Sequence, residues 1–188
     1  MRRMKKNKIG FWAVWLGLVF LGFYTISKTI VFPKVFSNYS LTLNLLQRAS
    51  GVLIFTLLFI QIILGKSIHP VIYLLAVIHP LFQLIFNYKL FHIFDPFYVY
   101  TQVCFLCKNK TELFYTFGRL AFWFLTLAIF WKKLYFLNYA AFFLFALHGW
   151  FVGSDFHTSP LIFFFWFAVA AVFLSAARQI RLRKEKGL

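Results

Sequence analysis

The chain has 188 residues, 62% of them hydrophobic and 13% charged, with a formal net charge of +16. Soluble domains average about 45–50% apolar and about 25% charged residues, so one soluble core cannot hide this much apolar surface and lipid must cover most of it. The four acids, Asp95, Glu112, Asp155 and Glu185, all lie outside the apolar runs, which argues against a hydrolase built on paired carboxylates; most of the cations sit between those runs and at the termini, a membrane pattern rather than a nucleic-acid one.

A bilayer-spanning helix needs roughly 20 mostly apolar residues. Runs of that kind occupy about 10–32, 43–65, 68–90, 113–131, 134–152 and 160–178. The first follows Arg2, Arg3, Lys5, Lys6 and Lys8, like the start of a signal peptide. Its apolar stretch is too long and lacks a small-residue cleavage site, so a retained helix is expected. The second carries Arg48. The third begins beside His69, carries His79, and is interrupted near its end by Asn87, Tyr88 and Lys89. A loop over 89–112 holds Cys104-Phe-Leu-Cys107. The fourth run carries Arg119 and the fifth His148, and the sixth leads into Arg178, Arg181, Arg183, Lys184 and Lys186. There is no internal repeat and no low-complexity linker, and the length suits a single domain over 1–188.

Positive charge marks the cytoplasmic side. With the N-terminus inside, both basic termini and Lys66, Lys132 and Lys133 fall on one face, against only Lys28, Lys34, Lys89, Lys108 and Lys110 on the other. The expected fold is therefore all-α: a multi-pass six-helix transmembrane bundle with both termini cytoplasmic, in the plasma membrane of a bacterium or archaeon. This orientation puts the cysteine loop outside, where a disulfide persists.

An ionisable residue inside a span is costly and marks a functional candidate. His79 and His148 lie on runs that cross in the same direction, and a rise of about 1.5 Å per residue brings them to comparable depth. Arg48 and Arg119 approach the same level on neighbouring spans. Two facing imidazoles beside guanidinium groups suit a haem, whose iron takes axial imidazoles and whose propionates match the fork of arginine. With so few acids in the chain, the arginines are otherwise expected to lack partners. The plainer alternatives are histidines bonding a hydroxyl or a backbone carbonyl across helices and arginines reaching out to the headgroups.

Cys104 and Cys107 admit three readings: a structural disulfide, a redox-active pair fed by the outer haem, or half of a metal site. Lys108 stands where a c-type haem attachment needs histidine. His92, His157, Asp95 and Asp155 fall in the outer loops, as solvated residues or as a weak metal or substrate site.

At these residues the chain resembles the ferric-reductase-like transmembrane domain family, which includes the membrane halves of ferric reductases and NADPH oxidases and the haem subunit of a methionine sulfoxide reductase system. The likeness spans about 43–152. It rests on Arg48-Ala-Ser-Gly51, on Tyr73 through His79-Pro80, on Phe117-Gly118-Arg119-Leu120-Ala121, and on Trp131 through Tyr135 and Tyr139 to Ala146-Leu147-His148. The resemblance implies a bundle carrying b-type haems, with His79 and His148 as the ligand pair of the outer one. The family's inner histidines stand 13 or 14 residues earlier on each ligand helix. Here Tyr135 occupies that place before His148, and His69 lies only 10 before His79. A His69–Tyr135 haem site, a haem ligated by one side chain, a quinone or an empty inner site are the alternatives. No flavin or nicotinamide module is present in the sequence, so a cytoplasmic reductase or a quinol must be the donor.

The leading expectation is thus a haem b protein, the membrane subunit of an oxidoreductase, carrying electrons to an outer acceptor. A thiol–quinone oxidoreductase using Cys104 and Cys107 is the enzymatic alternative, and a cofactor-free anchor or assembly subunit the non-enzymatic one.

Overall fold

A computed structural model describes residues 8–28, 38–64, 69–86, 100, 103–107, 109–131 and 134–185. Among these the chain is all-helical. The elements are α1 (Lys8–Ser27), α2 (Tyr39–Leu64), α3 (His69–Phe86), α4 (Lys110–Phe130), α5 (Leu137–Val152), a short 3-10 helix (Ser154–His157) and α6 (Leu161–Glu185). Each helix coincides with one of the six apolar runs. Three are long and apolar enough to cross a membrane: Tyr39–Leu64, Lys110–Phe130 and Leu161–Leu182. The apolar parts of the others, Ala13–Ser27, Pro70–Phe82 and Leu137–Val152, are shorter.

The helix ends follow local chemistry. α2 begins four residues earlier than hydropathy predicts because the Asn38 side chain accepts the Ser40 amide at 3.0 Å, satisfying an amide at the open end of the helix. Asn109 does the same for α4, accepting the Thr111 amide at 2.9 Å. α6 runs past the apolar stretch into the basic tail, where Arg181 donates to Glu185 one turn on at 3.0 Å. Within α3, Pro80 removes an amide from the helix ladder. The nearby Val77 carbonyl takes the Tyr100 hydroxyl at 2.5 Å, and the Tyr100 carbonyl takes Trp123 Nε1 at 2.8 Å. Tyr100, expected in an outer loop, is instead buried between α3 and α4.

α2 is the central helix. It packs on α1, α3, α5 and α6, and most of its apolar stretch is buried, whereas α4 and α6 leave most of theirs open. The exposed apolar residues on the outer helices, such as Phe20, Phe163, Phe167 and Leu174, are what a lipid-covered surface requires. Behind α2, Phe55 stacks on Phe142 at 5.1 Å and on Phe165 at 5.4 Å, and meets Phe156 edge-on at 5.0 Å. Phe156 arrives from the 3-10 helix and sits against Gly149, where a Cβ would lie 2.6 Å from its ring. Gly149→Ala is therefore expected to lift Phe156 out of the cluster and cost about 1–3 kcal/mol, read as a lower unfolding midpoint in detergent.

Candidate functional site

The helical hairpins α2–α3 and α4–α5 each hold one histidine, and they hold it in the same way. His79 on α3 directs Nδ1 to the Gln47 carbonyl of α2 at 3.0 Å, with Ser50 Oγ 2.9 Å away. His148 on α5 directs Nδ1 to the Phe114 carbonyl of α4 at 2.9 Å. A carbonyl only accepts, so in the neutral rings Nδ1 carries the hydrogen and Nε2 keeps its lone pair. No described residue hydrogen-bonds Nε2 of either ring.

Glycines make this approach possible. A Cβ at Gly51 would lie 3.2 Å from His79 Cε1, and one at Gly118 would lie 3.0 Å from His148 Nδ1. Each glycine stands four residues after the accepting carbonyl, Gln47 to Gly51 and Phe114 to Gly118. In an α-helix that carbonyl already bonds the amide four residues on. The histidine therefore takes the second lone pair of a ladder carbonyl, and the bare glycine leaves room for the ring. The sequence shows no repeat, yet the two hairpins build the same seat twice.

The two rings meet with centroids 6.4 Å apart and planes at 90°. Phe145 touches both, at 6.3 Å from His79 and 6.0 Å from His148, and Tyr115 lies 5.9 Å from His148. With metal–nitrogen bonds of roughly 2 Å and a ring radius of about 1 Å, one metal atom between two imidazoles sets their centroids about 6 Å apart. A metal-bound histidine ordinarily donates its other nitrogen to a carbonyl or carboxylate, which fixes tautomer and orientation. The donor set, its outer hydrogen bonds and the glycine cradles all fit a metal centre ligated by two imidazoles. The structural alternative, histidines bonding carbonyls across helices, is realised at Nδ1 and leaves Nε2 for a ligand.

Arg48 corrects the expectation that, with so few acids in the chain, it lacks an acidic partner. Asp155 in the 3-10 helix is 4% exposed rather than solvated, and it takes the Arg48 fork in a bidentate pair, with Nε donating to Oδ2 at 2.8 Å and the terminal Nη2 to Oδ1. Arg119 directly follows Gly118, on the turn that seats His148. His157 is exposed; its Nε2 meets the Trp150 carbonyl at 2.6 Å and its ring packs on Trp150 at 4.0 Å. It joins no metal cluster among the described residues. His92 and Asp95 lie outside the described residues, as does the side chain of His69. Tyr135 sits in the turn before α5, where its carbonyl accepts Asn138 Nδ2 at 2.9 Å.

Cys104 and Cys107 form a disulfide with Cα atoms 5.5 Å apart. The two sulfurs and a carboxylate oxygen of Glu112 lie within 4.8 Å of one another. Thr116, fully buried, anchors this loop, accepting the Cys104 amide at 3.0 Å and approaching the Cys104 carbonyl at 3.2 Å. Sequence reasoning missed Gln47, Ser50, Phe114 and Thr116. Two of these act through main-chain carbonyls and two through hydroxyls, each with a partner remote in sequence; the only local signal was a glycine four residues after each carbonyl. Comparison with protein-family models, with curated proteins and with solved structures finds no match to this chain.

Proposed function

We propose that the chain is a membrane-embedded b-type haem protein of the ferric-reductase-like kind. It crosses the plasma membrane of a bacterium or archaeon six times, with both termini cytoplasmic, and carries electrons from a cytoplasmic reductase or quinol to an outer acceptor. The observation that carries this reading is the pair of histidines, each fixed through Nδ1 by a helix carbonyl and meeting 6.4 Å apart. Such a haem, when bound, supplies reversible one-electron chemistry.

The chain's own residues have separable tasks. Gln47 and Phe114 set the ring orientations through their carbonyls. Gly51 and Gly118 let the helices close on the imidazoles. Phe145 and Tyr115 wall the site with apolar rings and keep water from it. Arg119 supplies positive charge of the kind a propionate requires, whereas the Arg48 fork is taken up by Asp155. One haem is proposed, because among the described residues the histidines brought together are His79 and His148.

The test is the reduced-minus-oxidised visible spectrum of the purified protein, with haem quantified per chain. Sharp low-spin b-type bands at one haem per chain are expected. Protein expressed with ample haem supply and lacking any such band would overturn the proposal.

A further inference from the structure

The cysteine loop invites a reading that does not depend on haem. We propose that Cys104, Cys107 and Glu112 form a redox-gated metal site at the N-terminal end of α4. As thiolates the two sulfurs hold a thiophilic d10 cation, Zn²⁺ or Cu⁺, with the Glu112 carboxylate as third ligand. As a disulfide they cannot; a dithiol reductant opens the pair by thiol–disulfide exchange, the two cysteines taking up two electrons and two protons while the reductant leaves as its own disulfide.

The geometry is close to what such a cation needs. Metal–sulfur bonds of about 2.3 Å in a tetrahedral shell set ligand atoms roughly 3.5–4 Å apart, and the three donor atoms already lie within 4.8 Å. Freed from each other, the sulfurs need only part by rotation about their Cα–Cβ bonds, with the Cα atoms 5.5 Å apart. The backbone does not have to assemble the site, because Thr116 holds the Cys104 main chain against α4. Glu112 is held independently: it lies in the first turn of α4, and its amide donates to the Asn109 carbonyl at 3.2 Å. That turn also carries the positive end of the helix dipole, which favours thiolates.

A static clamp explains the same cysteines less well. The stabilisation from a disulfide grows with the loop it closes, and these cysteines are only three residues apart. Thr116 already fixes the loop without them. Nor is the pair sealed in: Glu112 is exposed, and the two residues between the cysteines are open to the surroundings, Phe105 at 65% and Leu106 at 99%, so a cation and a thiol reagent can both reach the sulfurs. Binding displaces the two thiol protons as the metal–sulfur bonds form. The fourth coordination position is left for water or for a ligand from an outer partner.

The experiment uses the full chain in detergent, reduced and then titrated with Zn²⁺ alone against a chromophoric chelator. One Zn²⁺ per chain is expected, with two protons released per metal. Oxidation to the disulfide should abolish binding, and renewed reduction should restore it. Cys104→Ser should remove the site, and Glu112→Gln, an exposed change, should weaken binding roughly tenfold or more. His148→Ala should leave it unchanged, so the outcome is independent of haem. Binding that survives Cys104→Ser, that ignores Glu112→Gln, or that never appears in the reduced protein would overturn the proposal.

Discussion

His148→Ala is expected to abolish the low-spin haem spectrum while leaving the helical signal intact, and His79→Ala to do the same. Under the proposed function each substitution removes one of the two imidazoles that would hold the haem iron. Neither removes a large packing element, because each ring sits on a glycine rather than in an apolar knob-and-hole contact. The more discriminating variants are the seats. Gly118→Val places a branched carbon where even a Cβ would lie 3.0 Å from His148 Nδ1, so the ring must leave the Phe114 carbonyl. Most of the haem should be lost and the remainder shifted in its α-band. Gly51→Ala meets His79 Cε1 at 3.2 Å, so the ring need give by only a few tenths of an ångström, and a shifted but largely retained spectrum is expected. If Gly118→Val binds haem like the parent, His148 does not use this seat as a ligand.

Asp155→Ala should be the most destabilising single change, by about 3–5 kcal/mol, because it removes the carboxylate that faces the Arg48 guanidinium in a poorly hydrated place. The side chains of the pair are 17% and 5% exposed, so solvent screening does little to soften the loss. Replacing both partners, Arg48→Met with Asp155→Leu, should recover much of it, since the buried charge then disappears along with its partner. Chemical unfolding in detergent measures the difference. A double-variant cost equal to the sum of the Arg48→Met and Asp155→Leu single costs would mean that the pair is not coupled. The same variants report on function: the 3-10 helix places Asp155 on Arg48 and Phe156 on Gly149, and Arg48 lies between Gln47 and Ser50, both of which touch His79. A shift in the haem spectrum of Asp155→Ala, with haem retained, is expected from that adjacency.

Much was legible from residue order alone. Run lengths and hydropathy are local properties, so the six helices, the all-α class and the histidine and arginine candidates could be read directly. Charge placement set the expected orientation, for the same reason. Helix ends were read less well. Asn38 and Asn109 start α2 and α4 ahead of the apolar runs, because a capping side chain rather than hydropathy decides where the first amides are satisfied.

Only the tertiary structure decided the rest. Asp155 lies 107 residues from Arg48, and nothing local marks an acid in a polar-looking loop as buried. Tyr100 looks like a loop residue until its hydroxyl finds Val77. The histidine seats were hidden for a different reason: their acceptors are main-chain carbonyls, which every residue carries. What distinguishes Gln47 and Phe114 is not side-chain chemistry but a glycine one helical turn later and a facing helix close enough to use the second lone pair. That depends on how the hairpins pack, and packing is a property of the folded chain.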